Sequence, residues 1–186
     1  MTSENTRTRL LAAARHLFAL QSFAGTSLQM IADRLGVTKA AVYHHFKTRD
    51  EILEAVLEPA LDEMRALIAD AEAQRGFTAR ADRMLTGFVE LTVRHRDLIL
   101  LLANDPGVGN ALRSSEDVAD LLARPADLLA RDRLDPADRV RASVALAGIA
   151  TSAGSVLLTD VDDETLRATL IDTGRRILGL RRRPAH

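Results

Sequence analysis

Residues 26–51 read TSLQMIADRLGVTKAAVYHHFKTRDE, and the punctuation of this stretch decides the fold. Thr26 followed by Gln29, and Thr48 followed by Glu51, both match the reciprocal capping-box pattern, which predicts helices starting near residues 27 and 49. Between them Ile31 and Leu35 keep a four-residue apolar spacing. Gly36 then supplies the backbone freedom for a helix to end in a tight turn, and Thr38 can cap a second short helix.

That second helix, over about residues 39–46, advances about 100° per residue, so Val42 and Phe46 share one side and form its buried face. Ala40 and His44 point away from it. Tyr43 and Ala41 flank them on the outer face, with Lys39 and His45 nearer its rim. Donors, a stacking edge and small residues together suit the major groove of double-stranded DNA, where side chains bond base edges and apolar groups meet thymine methyls. Metal binding by His44 and His45 is a poor alternative, because adjacent residues on a helix diverge and no Cys or carboxylate accompanies them.

Charge agrees with this reading. Residues 1–49 carry seven cations (Arg7, Arg9, Arg15, Arg34, Lys39, Lys47, Arg49) against two acids (Glu4, Asp33), a balance of +5. The whole chain is −1, so the remainder carries −6. A basic head on an acidic body binds phosphate without being adhesive everywhere.

The 186 residues suffice for a small domain leaning on a larger one. Cysteine is absent, which excludes disulfides and thiolate chemistry and fits a reducing cytoplasm. The polar start MTSENTRTR has no signal-peptide pattern. The apolar and small-residue run at 144–158 falls below the length of a spanning helix and is expected to be buried in protein. No nucleophile elbow, HExxH motif or convincing carboxylate pair is present, so neither an enzyme nor a cofactor is expected. PGVGNAL at 106–112 lacks the preceding strand and Gly-Lys-Ser/Thr ending of a phosphate loop. The acids of residues 160–164 lack a calcium loop's glycine and distant glutamate and fit a helix cap. The terminal RRR fits a solvated tail.

Helical periodicity continues along the chain. A first helix over residues 6–20 turns Leu10, Ala14, Leu17 and Phe18 inward. A long helix follows Arg49 and, interrupted by Pro59, is expected to kink or break near Glu58. An amphipathic helix runs from Gly76 and Thr78 to about His95, and Asp97 can cap a short apolar helix. Another spans residues 116–131, cut by Pro125. The last two cover residues 136–158 and 163–179, capped by Asp135 and Asp162. The expectation is an all-α fold of nine or ten helices, with a helix-turn-helix domain at 1–49 and a helical effector-binding and dimerisation domain at 50–186.

The penultimate helix is apolar or small on nearly every side after Arg141, so one face can pack on its own domain while the other needs a partner. Val144, Gly148, Thr151 and Ser152 on it, with the stripe Leu166, Leu170, Gly174 and Ile177 on the final helix, are the expected homodimer surface.

LFALQSFAGTS, then LGV, a turn residue and VYHHFKTRDEIL form a pattern that resembles the tetracycline-repressor (TetR) family of bacterial transcription regulators. The close match covers residues 7–57, and the rest corresponds in helical layout only. The resemblance implies a homodimeric, ligand-responsive regulator, usually a repressor, inserting one recognition helix per subunit into successive major grooves. It puts Ser27 and Gln29 near the backbone or a base, and Thr38, Lys39, Ala40, Ala41, Tyr43, His44 and His45 on the recognition surface. Lys47 and Arg49 fall at a phosphate-clamping helix start. Ala40 and Ala41 stand where other members often carry Gly, Ser or Thr, which implies fewer bases read by hydrogen bond.

The small-molecule effector is not identified by the sequence, and its ligand residues are left unassigned. Thr86, Thr92 and Asn104 are polar positions among apolar neighbours, and His95, between Arg94 and Arg96, suits a helix carboxyl end or a pocket. The competing reading is a protein-interaction module that keeps the helix-turn-helix shape without specific DNA binding. The basic head argues against it.

Overall fold

A computed structural model describes residues 3–104, 107–108 and 116–180. Nine α-helices are delimited among these residues: α1 (Ser3–Gly25), α2 (Leu28–Leu35), α3 (Lys39–His45), α4 (Arg49–Glu72), α5 (Phe77–Arg94), α6 (Arg96–Asn104), α7 (Glu116–Leu129), α8 (Pro136–Ala153) and α9 (Asp163–Ile177). A 3-10 turn, Val156–Leu158, joins the last two. No strand occurs among the described residues. The expected PGVGNAL loop lies almost wholly outside them, and the RRR tail entirely so.

The caps follow local chemistry, with one slip of register. Ser27, not Thr26, caps α2 and accepts from the Met30 amide at 3.2 Å. Thr26 is instead drawn into the turn leaving α1, where its hydroxyl donates to the Ser22 carbonyl at 2.8 Å. Ser22 itself has φ 65 and ψ 162, a strained conformation for a residue with a Cβ, and breaks α1 close to its expected end. Thr38 accepts from the Ala41 amide and Thr48 from the Glu51 amide. The Glu51 carboxylate accepts in return from the Lys47 amide at 2.7 Å, one residue ahead of the cap. Gly36, at φ 66, ends α2 in the left-handed conformation the turn requires.

Neither proline breaks its helix. α4 continues through Pro59 and α7 through Pro125. In α4, Val56 and Leu57 before the proline and Met64 and Leu67 after it are all buried, and holding both halves in place outweighs one missing backbone bond. The penultimate helix stops at Ala153, short of residue 158, because Gly154 and the Ser155 cap turn the chain into the 3-10 turn.

Two cores result. One joins Leu10, Phe18, Phe23, Ile31, Val42 and Phe46 to the first turns of α4 through Ile52, Leu53, Val56 and Leu57, and also takes in Leu98, Leu101 and Val108. The other begins at Met64 and gathers α5, α7, α8 and α9. Close helix approach in this second core needs glycine. A Cβ on Gly87 would stand 2.2 Å from a Leu67 methyl, and one on Gly174 2.6 Å from a Leu85 methyl.

This packing corrects the expected partner-facing stripe on the last helix. Leu166, Leu170 and Gly174 are buried in the chain's own core, and Ile177 packs at its edge. On α8 the opposite holds: Ala142, Ala145, Ile149 and Ala153 are buried, whereas Val144, Gly148 and Thr151 are exposed and Ser152 is half-buried.

Candidate DNA-binding surface

α3 is held to the protein by Val42, fully buried, and by Phe46 at its carboxyl end. With that face fixed, Lys39, Ala40, Tyr43 and His44 are exposed, and Ala41 and His45 are half-buried beside them. Tyr43 keeps 40% of its surface, and the Lys39 ammonium lies 5.6 Å from its ring centre. The His44 and His45 rings meet edge to face at 5.4 Å. No group of three His, Cys, Asp or Glu side chains able to hold a metal occurs among the described residues. Ser27, Gln29 and Thr38 are exposed on the neighbouring α2 and turn. Gln29 donates to the Asp33 carboxylate at 2.7 Å, while Ser27 and Thr38 spend an acceptor on capping.

The two cations after α3 have different work. Lys47 is exposed and its ammonium donates to the Tyr43 carbonyl at 2.7 Å, capping the end of α3 with positive charge. Arg49 is turned inward. Its guanidinium lies 4.3 Å from the Phe23 ring centre and donates to the carbonyls of Ala24 and Thr26 at 2.9 and 3.2 Å. It pins the start of α4 to the turn between α1 and α2, a task the sequence did not signal because the partners lie more than twenty residues away.

Three consecutive residues at the corner between α5 and α6 reach three parts of the molecule. His95 lies 3.2 Å from the Glu63 carboxylate on α4. Arg96 donates to the carbonyls of Ala153 and Leu158 and to the Asp163 carboxylate, gripping the α8–α9 junction. Asp97 receives two hydrogen bonds from the Arg15 guanidinium on α1. Partial burial opposes ionisation of Asp97, but the Arg15 bonds and charge outweigh it and hold the carboxyl below its ordinary value. Asp97, in the first turn of α6, thus straps that helix to the head.

A cavity of about 200 Å³ lies beside this corner, walled by α4, α5, α6, α7 and α8. Thr92 and His95 line it. Thr86 does not: it borders a separate open groove with Asp82 and Arg175, where the carboxylate and guanidinium pair at 2.7 Å. The Asn104 side chain lies outside the described residues. The cavity's apolar walls, among them Leu61, Phe88 and Ile99, were hidden in sequence because a cavity wall and a packed core share one composition. The acids at 160–164 do serve α9, with Asp162 accepting from the Thr165 amide and Asp163 pairing with Arg96 and Arg167. No helix among the described residues is long and apolar enough to cross a membrane.

Comparison with known proteins matches residues 10–56 to the bacterial regulatory proteins of the tetR family. The HTH-type transcriptional regulator SrpR of Pseudomonas putida is 44% identical over 55 residues, which are 30% of this chain and 26% of that one. The HTH-type transcriptional regulator UidR of Escherichia coli is 31% identical over 90 residues, 48% of this chain and 44% of that one. The matched stretches thus span between a quarter and under half the length of these relatives. The whole fold is similar to that of the ketosteroid transcriptional regulator KstR2 of Mycobacterium tuberculosis, with a TM-score of 0.72 at 19% identity over 94% of this chain and 93% of that one. All three of these relatives are transcriptional regulators. Residues 10–56 thus match the tetR family of bacterial regulatory proteins in sequence, and the chain as a whole is similar in fold to a transcriptional regulator.

Proposed function

We propose that this protein is a sequence-specific DNA-binding transcriptional regulator, a repressor that leaves a pseudo-palindromic operator when a small-molecule effector binds its helical body. The observation that carries this reading is the outer face of α3. Lys39, Ala40, Tyr43 and His44 stand exposed on a helix whose opposite side is locked by Val42 and Phe46. With Lys47 beside it and +5 on residues 1–49, that face has donors for base edges and charge for phosphates.

The working unit is a homodimer. Val140 and Val144 on α8 are 60% and 51% exposed, Gly148 beside them has open space where a Cβ would be, and the run is continuous with exposed Thr151. A second copy covering this face would set two α3 helices against one duplex, about 34 Å or one helical turn apart. Effector control has a physical route in α6. Leu98 belongs to the head's core and also lines the cavity, and the neighbouring Asp97 is strapped to α1. A ligand that shifts α6 acts on the head only through its preference between the two arrangements.

A mobility-shift titration with the DNA flanking the protein's own gene tests the reading. Lys47→Ala should weaken all sequences alike and reduce the salt slope by about 1, whereas Lys39→Ala should change preference among sequences. Absence of any salt-sensitive preference for a duplex, with bound small molecules removed beforehand, would leave the interaction-module reading in its place.

A further inference from the structure

We propose that the effector is a compact, uncharged, largely hydrocarbon molecule of single-ring size, held in the cavity between α4, α5 and α6. The inference rests on the reading that an effector governs this protein, and names its chemistry.

Size is the first constraint. The cavity measures about 200 Å³, above the roughly 150 Å³ that takes up benzene in an apolar protein interior and below the roughly 300 Å³ at which pockets enclose drug-sized ligands. A four-ring steroid, of the kind for which the similar ketosteroid transcriptional regulator KstR2 is named, exceeds it.

The walls give the second constraint. Leu61, Met64, Phe88, Leu91 and Ile99 supply hydrocarbon surface, and the only polar lining side chains among the described residues are Thr92 and His95. The Thr92 hydroxyl is consumed inside its own helix, donating to the Phe88 and Val89 carbonyls at 2.9 and 3.1 Å. His95 already uses Nε2 on Glu63, whose other carboxylate oxygen accepts from Arg94 at 2.7 Å. Among the described residues neither a carboxylate nor a guanidinium lines the cavity. A cation or an anion entering it would give up hydration without a partner, and a sugar would leave most of its hydroxyls unbonded, so both classes are rejected. A single hydroxyl on the ligand can donate to Nδ1 of His95, the ring nitrogen not turned to Glu63.

The test uses the full-length protein and separates ligand class from regulation by reading them independently. Thermal unfolding is followed with toluene and phenol as neutral probes, benzyltrimethylammonium and benzoate as charged ones, and androstenedione as a steroid. The expected result is a saturating rise of roughly 2–4 °C or more with toluene and phenol and none with the other three. Ala60→Phe, which fills the cavity from α4, should remove the response while melting no lower than about the unliganded protein. If that variant fails to fold, loss of the excess stabilisation by phenol over toluene in His95→Phe keeps the assignment testable. Saturable binding of either charged probe or the steroid, with no response to toluene, overturns the proposal. Operator release is then measured by mobility shift. Binding of toluene without release would retain the ligand class and remove the regulatory reading, whereas release driven only by a charged molecule would remove the ligand class and retain regulation.

Discussion

The two cores of this molecule differ in what fills them. The head is closed around aromatic rings: Phe18 and Phe23 meet edge to face at 5.3 Å, Phe46 seals α3 from below, and Arg7 and Arg49 cover Phe46 and Phe23 from outside. The body is aliphatic, draws its helices together over Gly87 and Gly174, and keeps a cavity. A surface that must match a fixed duplex is best carried by rings and caps that allow one arrangement. A domain that must admit a ligand benefits from incomplete packing, since its cavity walls forgo contacts that a guest can restore. On the proposed function, the contrast separates the part that has to be rigid from the part that has to yield.

The largest expected effect strikes the rigid part. Phe18→Ala removes a ring that is 1% exposed, and should destabilise the head by about 3–5 kcal/mol, with DNA binding lost in a mobility shift. Leu91→Ala beside the cavity should fall near the lower end of the range for such truncations, about 2 kcal/mol, because its surroundings are already incompletely filled. Urea unfolding of both variants measures the difference, and equal costs would break the contrast between the cores.

Next in size is Gly87→Ala, where the added methyl collides with Leu67 and should cost about 1–3 kcal/mol as α4 and α5 are forced apart. The midpoint of thermal unfolding should drop while the wild-type affinity for DNA persists at low temperature. A smaller effect, about 1 kcal/mol, is expected from Thr38→Ala, which removes the α3 cap. There the order is reversed: affinity for DNA should suffer more than the unfolding midpoint, because the cap sits in the recognition surface itself.

How far the sequence could be read divides along the same line. In the head the decisive interactions lie within four residues of each other: the Thr38 and Thr48 caps, the Gly36 turn, and the Val42 and Phe46 pair on one helix face. The single slip, Thr26 for Ser27, arose because both can cap and only the turn at Ser22 decides between them. What periodicity cannot give is direction. Leu166, Leu170 and Gly174 make a correct stripe, but which of two apolar faces a helix turns inward depends on partners such as Leu85, far away in sequence. The same holds for Arg49, which finds Phe23, and for Leu98, Leu101 and Val108, which enter the head's core from the body. Pro59 and Pro125 obeyed a global balance that a local rule for proline does not contain.

The smallest effect on stability tests the link between the two cores. The Arg15–Asp97 pair is half-exposed, so Asp97→Asn should cost well under 1 kcal/mol at neutral pH, about the median for surface pairs. Its sign against pH follows from the lowered pKa of Asp97 in the folded state. A depressed carboxylate contributes stability above its ordinary value of 3.8 and loses it as pH falls through the lower, folded value. Urea midpoints of wild type and Asp97→Asn should therefore differ slightly at pH 7 and draw together as pH falls below 3.8 and through the lower, folded value, whereas divergence on acidification would show that the carboxylate is not the paired form. The larger consequence should appear in coupling. Once α6 is no longer strapped to α1, a ligand in the body should still bind but move the head less, so its effect on DNA affinity should shrink while its effect on melting temperature stays. Loss of both together would mean that the strap builds the cavity and does not transmit from it.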